Sequence, residues 1–324
     1  MPGIWVVADN QEQIFELLAA GRDLAQKMGE RLTALLWGDR GLVQEVIDRG
    51  ADEVLLLPPP GREQPVESGV ATIADLARTE EPEAMLFGGT LRVKEIAARV
   101  ASRLDVGLCS DCIAFNFDQQ QRRLEMERLV YGGAAIQTVA ALSRPGMATL
   151  PPRSFEPAQR LEGRSGTVRE LPPPPAGAVK VVERRPRQRE AGDIATARVV
   201  VCAGRGIEKR EDLALVRELA EVLGGEVGCT RPIAEELNWL PEETYIGLSG
   251  KKVRPALYIG IGISGQIQHT TGIRDSKVIV AINRDENAPI FEQADYGLVG
   301  DLYEVLPRLI QEFRRELNKQ EQRL

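Results

Sequence analysis

Short apolar runs alternate with amphipathic segments along the first hundred residues of the chain. The apolar runs, rich in β-branched and aliphatic residues, predict strands at 4–7, 33–37, 54–57 and 84–87. The segments between them repeat apolar residues every three or four positions and predict helices near 11–28, 42–49, 70–78 and 93–104. Such alternation of strand and helix is typical of a parallel sheet with helices on its faces, so it predicts an α/β domain.

The pattern changes beyond residue 110. Segments 112–117, 123–131 and 134–142 are strand-like and are joined by turns without helices, which indicates a small antiparallel addition to the first domain. Residues 171–192 contain a run of four prolines and a mixed-charge stretch, a composition that favours extended, poorly packed backbone. We therefore expect a domain boundary there, with an N-terminal domain at 1–185 and a C-terminal domain at 186–324.

A second α/β pattern begins with the apolar run at 198–203 and ends with a helical segment near 302–318. A chain of 324 residues exceeds what one hydrophobic core usually organises, which agrees with two domains. The predicted fold class is α/β, with an N-terminal parallel-sheet domain that carries the antiparallel addition and a C-terminal doubly wound domain.

Charge and hydropathy narrow the possible partners. The net charge of −7 is spread over 41 basic and 48 acidic residues without a basic block, so we expect no nucleic-acid partner. The apolar runs are strand-length, far short of the roughly 20 residues that cross a bilayer, and we expect no membrane span. The chain begins on a strand pattern without a targeting segment, which favours a cytoplasmic, prokaryotic protein or a processed organellar one.

The cysteines offer one candidate pair. Cys109 and Cys112 have the spacing of a redox or metal pair, but the sequence has no second pair and only one histidine, His269. We expect two reduced structural thiols and no metal site. Because histidine is so scarce and no Ser-His-Asp or Cys-His pattern is present, we also expect no catalytic residues of those types.

Two glycine-rich turns in the second domain point to a nucleotide. Gly204-Arg205-Gly206 follows a strand, and residues 260–265 form a GxGxxG pattern after another strand, with Asp285 twenty residues beyond its last glycine. Residues 266–272 are short and polar, whereas a nicotinamide site would continue into a longer apolar helix. His269 lies in this polar segment; a lone histidine is more often a core or surface residue, but here its neighbours favour a ligand role.

The same region resembles a known family. Residues 255–269, 272–285, 288–291 and 294–301 closely resemble the signature of electron-transfer flavoprotein alpha subunits. The resemblance extends to 204–206, 229–231 and 246–250, and in the first domain to 86–90 and 107–112, so it covers most of the chain.

The resemblance implies that FAD is the cofactor and that its contacts are spread through the second domain. They comprise Gly204, Arg205, Gly206, Thr230, Arg231, Ile246, Gly247, Leu248, Ser249, Gly262, Ser264, Gly265, Gln266, Ile267, Gln268, His269, Asn283, Asp301 and Leu302. Arg205 with its glycines would contact the diphosphate, with an exposed turn as the alternative. Residues 264–268 would wrap the cofactor through backbone N–H groups, and Asn283 would lie near the adenosine.

Four of these residues carry particular expectations. Arg231 would lie over the flavin ring, where a fixed cation stabilises the reduced flavin and raises its potential; a surface salt bridge is the alternative. Ser249 would offer its hydroxyl near flavin N5. His269 would donate a hydrogen bond at the pyrimidine end of the flavin. Asp301 would contact the adenosine half, cap the following helix, or do both.

The function that the resemblance implies is electron transfer by a carrier subunit rather than by a free-standing enzyme. The expected partners are a beta subunit, which would dock on the first domain to form a heterodimer, a donor such as an acyl-CoA dehydrogenase of fatty acid beta-oxidation, and a quinone oxidoreductase or ferredoxin-type acceptor. Leu248 stands where a glutamine is expected, which leaves open a bifurcating form that oxidises NADH with a second FAD. The rivals of other classes are an NAD-dependent dehydrogenase and a non-redox nucleotide-binding module.

Overall fold

A computed structural model describes residues 3–38, 40–121, 123–175, 177–185 and 193–321. The chain forms two compact units, Met1–Arg185 and Pro186–Leu324. Part of the expected linker, residues 186–192, lies outside the described residues. Among the residues that are described, no helix is long and apolar enough to span a membrane.

The first unit contains ten described strands and four described α-helices. In chain order they are β1 Gly3–Val7, α1 Gln11–Met28, β2 Arg31–Trp37, α2 Val43–Asp48, β3 Glu53–Leu57, α3 Gly69–Glu80, β4 Ala84–Gly88, α4 Leu91–Leu104, β5 Leu108–Cys109, β6 Cys112–Asp118, β7 Arg123–Val130, β8 Ala135–Ala140, β9 Gly146–Leu150 and β10 Thr167–Glu170, with 3-10 turns at Arg40–Leu42, Val66–Ser68 and Tyr131–Gly133.

The ten strands of the first unit form two sheets. Seven make one parallel sheet in the order β10-β3-β2-β1-β4-β9-β5. On one face of this sheet Ile4 and Val6 pack with α1 and α2, and on the other face Trp5 and Val7 pack with α3 and α4. Because successive side chains of a strand point to opposite faces, a strand buried on both sides is apolar throughout. The predicted parallel α/β domain is confirmed.

The other three strands form an antiparallel sheet in the order β6-β7-β8. Leu124 and Met126 of β7 are buried against the same core as α1, whereas most of β8 is exposed. The predicted antiparallel addition is therefore confirmed, although β8 ends at Ala140 rather than at residue 142. The sequence analysis did not identify β5, β9 or β10, which complete the parallel sheet.

The second unit is a five-stranded parallel sheet in the order β12-β11-β13-β14-β15. Its elements are β11 Val199–Ala203, α5 Leu213–Val222, β12 Glu226–Cys229, a π-helix at Pro232–Glu236, β13 Leu257–Ile261, α6 Ile267–Thr270, β14 Ile279–Asn283, β15 Tyr296–Val299 and α7 Leu302–Glu321, with 3-10 turns at Arg210–Asp212, Glu242–Thr244 and Pro289–Glu292. Helices α5 and α7 cover one face. Irregular segments around Ile246, Ile263 and Ile290 cover the other.

Candidate cofactor site

The carboxyl ends of the five parallel strands of the second unit are followed by the residues that the sequence singled out. These are 204–206 after β11, Thr230 and Arg231 after β12, 262–269 after β13, Asn283 at the end of β14, and Asp301 with Leu302 after β15. Residues 246–249 join this edge because the Ile246 N–H donates to the Cys229 carbonyl at the end of β12 (2.9 Å). β12 and β13 flank β11 on opposite sides, and ligands of open parallel sheets bind at such a reversal of strand order.

The two predicted glycine turns are in direct backbone contact. The Gly206 N–H donates to the Gly262 carbonyl (2.9 Å), and a Cβ added to Gly204 would lie only 2.3 Å from that same oxygen. Gly262 also has a φ of +62°, a conformation that L side chains rarely adopt. Glycine is therefore required here by the close approach of two loops, which leaves main-chain atoms on the surface of the edge.

The segment after β13 turns at a third glycine, where it contacts the backbone of Ile290. Gly265 has a φ of +91°, and the Ser264 carbonyl accepts a hydrogen bond from the Ile290 N–H (3.0 Å). The N–H groups of residues 264–268 donate to no group that the structure describes. Helix α6, which follows, has only four residues, as the short polar segment predicted. A run of free N–H donors in this position suits an anionic group.

Residues 246–250 pack against this segment through backbone contacts. The Leu248 N–H donates to the Gln268 carbonyl (2.6 Å), and a Cβ on Gly247 would lie 2.7 Å from the same oxygen. Leu248 is 56% exposed, so its apolar side chain faces solvent in the unit as described. The Ser249 hydroxyl lies 3.1 Å from the hydroxyl of Tyr245, which can orient it. The sequence analysis did not identify Tyr245.

The single histidine lies behind these loops with both ring nitrogens engaged. His269 is 7% exposed; its Nδ1 is 3.0 Å from the Ile246 carbonyl oxygen and its Nε2 is 2.7 Å from the Tyr258 hydroxyl. Burial lowers the pKa of the His269 imidazole to about 4, against the opposing effect of the Ile246 carbonyl. The expected donation from His269 to a flavin stays a prediction, and it requires the ring to give up one of these two partners. Nothing in the apolar strand pattern around Tyr258 pointed to this contact.

The two candidate arginines are both on the surface. Arg231 is exposed, and its Nε donates to Glu235 Oε2 (2.6 Å) across one turn, which is the salt bridge that the sequence left as the alternative. Arg205 is exposed and makes no ion pair with any described residue. Thr230, by contrast, is 9% exposed, and its hydroxyl has no hydrogen-bond partner among the residues that the structure describes. A buried hydroxyl without a partner indicates a ligand that completes it.

The remaining predicted residues support the edge in different ways. The Asn283 amide donates to the Ile263 carbonyl (2.8 Å) and so fixes the loop after β13. Asp301 Oδ1 accepts from the Tyr303 N–H (2.8 Å), so the expected helix cap is present at the start of α7. The side chains of Ile246 and Leu302 are buried in the apolar cores, and only their backbones can face a ligand.

The cysteine pair of the first unit does not form a second candidate site. Cys109 and Cys112 of the first unit are both buried and free, and burial raises the pKa of the Cys112 thiol, which keeps it protonated. Within the described ranges, no group of three or more His, Cys, Asp or Glu side chains could hold a metal ion.

Taken together, the edge fits a phosphate-bearing dinucleotide. Glycines keep its surface free of side chains. Within the part of the chain that the structure describes, five successive N–H groups and the buried Thr230 hydroxyl have no hydrogen-bond partner. The exposed Arg205 adds a cation beside the glycine turn. Backbone donors and a nearby cation are the usual means by which such loops bind a diphosphate.

Comparisons with known proteins agree with this fit. A family model described as an electron transfer flavoprotein domain matches residues 4–176, and a model described as an electron transfer flavoprotein FAD-binding domain matches residues 193–274. The two matches together cover most of both units.

Three curated proteins illustrate the similarity along the whole chain. Protein FixB of Clostridium saccharobutylicum is 37% identical over 95% of this chain and 95% of its own length. The putative electron transfer flavoprotein subunit YdiR of Escherichia coli (strain K12) is 38% identical over 96% of this chain and 98% of its own. The electron transfer flavoprotein subunit alpha of Clostridium acetobutylicum is 34% identical over 98% of each chain.

Proposed function

Because the chain belongs to the electron transfer flavoprotein family, as a member of its alpha-subunit type, we propose that it carries electrons from a dehydrogenase to a separate acceptor. Its cofactor is FAD, and the family implies a beta-subunit partner. The observation that carries the proposal is the glycine-lined edge of the second unit, where the N–H groups of residues 264–268 have no hydrogen-bond partner among the described residues. We assign 186–324 as the FAD-binding domain and 1–185 as the domain that docks the beta subunit.

FAD, when bound, accepts electrons from one partner and passes them to another. The protein's part is to bind and orient it. The N–H groups of 264–268 and the Arg205 guanidinium would hold the diphosphate, and the Thr230 hydroxyl would donate to the cofactor. Ser249, oriented by Tyr245, would offer a hydroxyl to the flavin, and Asn283 and Asp301 would fix the loops around the adenosine.

We further propose that the donor is of the acyl-CoA dehydrogenase type and that the acceptor is a quinone oxidoreductase or a ferredoxin-type protein. These partners rest on the resemblance of the sequence to the alpha subunits. The site itself supports only the carrier role: His269 is buried, its pKa is lowered and its two nitrogens are engaged within the protein, so it is poorly placed for acid–base chemistry on a substrate.

The test is a flavin count on this chain co-purified with its beta subunit. We expect one FAD per heterodimer, with a visible flavin spectrum that dithionite bleaches. An NAD-dependent dehydrogenase would bind NAD as the isolated chain and would show no flavin band. A regulatory nucleotide-binding module would bind its ligand without taking electrons. Absence of the band after reconstitution with FAD would refute the proposal.

A second candidate is an electron-bifurcating subunit that oxidises NADH. The observation that favours it is Leu248, an exposed aliphatic side chain on the loop beside Ser249, at a position where the sequence analysis expected glutamine. An aliphatic residue removes one polar contact near the flavin. This candidate requires a second FAD in the beta subunit, so it predicts two flavins per heterodimer and bleaching by NADH. A count of one would exclude it.

Arg231→Ala is expected to lower the flavin reduction potential. Removal of a cation near the ring destabilises the reduced, anionic flavin, and we expect a shift on the order of tens of millivolts. The measurement is a redox titration of the heterodimer loaded with FAD.

Arg315→Ala is the matched control for this titration. Arg315 is also an exposed arginine in a local helix ion pair, with Glu312 (3.2 Å), but it lies on α7 well along the helix from Asp301. Its removal should leave the potential unchanged. Equal potentials for Arg231→Ala and the wild-type protein would remove Arg231 from the flavin environment.

A further inference from the structure

A buried chain of hydrogen bonds connects three segments behind the cofactor edge. Tyr258 on β13 is fully buried, and its hydroxyl lies 2.7 Å from His269 Nε2. His269 on α6 in turn lies 3.0 Å, through Nδ1, from the carbonyl oxygen of Ile246. The chain therefore ties the central strand of the sheet to the two loops, 246–250 and 262–269, whose faces form the proposed cofactor site.

The direction of each hydrogen bond follows from the chemistry of its partners. A carbonyl oxygen can only accept, so Nδ1 of His269 must carry the proton that is donated to Ile246. Burial keeps the imidazole neutral by lowering its pKa to about 4. Nε2 is then unprotonated and must accept, so the Tyr258 hydroxyl donates to it. The Ile246 carbonyl thus requires the Nδ1–H form of the ring, and the Tyr258 hydroxyl stabilises that form by donating to Nε2.

Backbone hydrogen bonds join the same two loops at a second point. The Leu248 N–H donates to the Gln268 carbonyl (2.6 Å), and the Gly272 backbone lies so close to Gly247 that a Cβ on Gly272 would be 2.7 Å from the Gly247 nitrogen. With the side-chain bond from His269 to Ile246, the loops are attached on both sides of residue 247. Such double attachment fixes the direction of the free N–H groups between residues 264 and 268.

We propose that Tyr258 is a positioning residue of the flavin site, which holds His269 in its Nδ1–H form and thereby sets the spacing of loops 246–250 and 262–269 before FAD binds. This inference rests on the proposed function. Tyr258 is buried beneath the loops and acts through His269, in the way that a buried partner orients the histidine ligand of a metal. The loss of its hydroxyl would leave Nε2 without a donor, so that the Ile246 carbonyl alone would favour the Nδ1–H form and the population of the other tautomer would rise.

The first test uses the fact that the chain has one histidine. In the full-length protein labelled with nitrogen-15 histidine, the imidazole gives a single set of NMR signals. Their nitrogen shifts and two-bond couplings distinguish the two neutral tautomers. We expect the Nδ1–H form in the wild-type protein at neutral pH and a changed tautomer population in Tyr258→Phe. Detection of the Nε2–H form in the wild-type protein would overturn the proposal even if the variant fails to fold.

The second test measures FAD binding to the same full-length proteins by titration of flavin fluorescence. We expect Tyr258→Phe to bind FAD on the order of tenfold more weakly than the wild-type protein, comparable with the loss of other orienting partners. Tyr296→Phe is the matched control, because the Tyr296 side chain is 67% exposed on β15 and lies outside the proposed site. This control should change neither the tautomer nor the affinity.

The outcomes separate this inference from the proposed function. If the wild-type protein binds FAD and Tyr258→Phe binds it equally well, positioning by Tyr258 is refuted while the proposed function stands. If the wild-type protein and its heterodimer bind no FAD, both the positioning role of Tyr258 and the proposed function are refuted. A weaker affinity of Tyr258→Phe together with an altered tautomer supports the proposal, and a weaker affinity with the wild-type tautomer refutes the route through His269.

Discussion

Replacement of Gly265 by alanine is expected to lower the free energy of unfolding by about 2–5 kcal/mol. A positive φ of +91° costs an L residue roughly 1–2 kcal/mol, and overpacking against fixed atoms costs about 1–3 kcal/mol. The clash here is with main chain, because the new Cβ would lie 2.2 Å from the Ile290 nitrogen. Backbone cannot rotate away as a side chain can, so we expect the upper part of this range. Denaturation in urea measures the change.

Gly224→Ala is the control that separates the clash from the backbone strain. Gly224 lies in the same unit with a φ of +62°, but nothing lies within 4 Å of the Cβ that alanine would add. It should therefore lose only about 1–2 kcal/mol and retain the wild-type affinity for FAD. Gly265→Ala should lose FAD binding as well, because the loop that carries the N–H groups of 264–268 must shift. Equal stabilities of the two variants would show that the contact with Ile290 is relieved at no cost.

The local pattern of apolar and polar residues was sufficient to predict the strands and helices whose own residues carry that pattern. Strand β1 and helix α1 follow from an apolar run and from an amphipathic repeat that begins after Asn10, whose side chain caps the helix. Strand β10 could not be found in this way. Its residues are mostly exposed, and Arg169 pairs with Glu53 and Glu80 at the sheet edge, so it is a strand only because β3 is beside it.

The sequence predicted those parts of the candidate site where close approach of main chain requires glycine. Gly204, Gly262 and Gly265 are glycines because other main chain approaches them, and such constraints are visible in a sequence as glycine turns after strands. Parallel strand order then brings these turns to one edge. Tyr258 could not be recognised, because a tyrosine in an aliphatic strand has the pattern of a core residue, and its partner is eleven positions away. The role of Tyr258 depends on its tertiary contact with His269, which a local sequence pattern cannot predict.

His269 should make the stability of the chain depend on pH below neutrality. Burial lowers the pKa of its imidazole from 6.5 to about 4 in the folded protein. As the pH falls through 6.5, the unfolded chain binds a proton at this histidine while the folded protein does not, so the folded state is progressively disfavoured until about pH 4. The stabilisation is complete above pH 6.5. Between pH 7.5 and pH 4.5 the imidazole alone should account for a loss of about 2.5 kcal/mol.

Comparison with His269→Asn isolates this contribution, because asparagine does not titrate and its amide can still donate to the Ile246 carbonyl. The variant has a lower stability at pH 7.5, since its side chain is too short to accept from Tyr258 and leaves that hydroxyl unsatisfied. All carboxylates are common to the two proteins, so their pH dependence cancels in the difference between the urea unfolding free energies. That difference should shrink by about 2.5 kcal/mol as the pH is lowered from 7.5 to 4.5. A difference that stays constant with pH would mean that the imidazole is protonated as readily in the folded protein as in the unfolded chain, and that the buried contact with Tyr258 does not form.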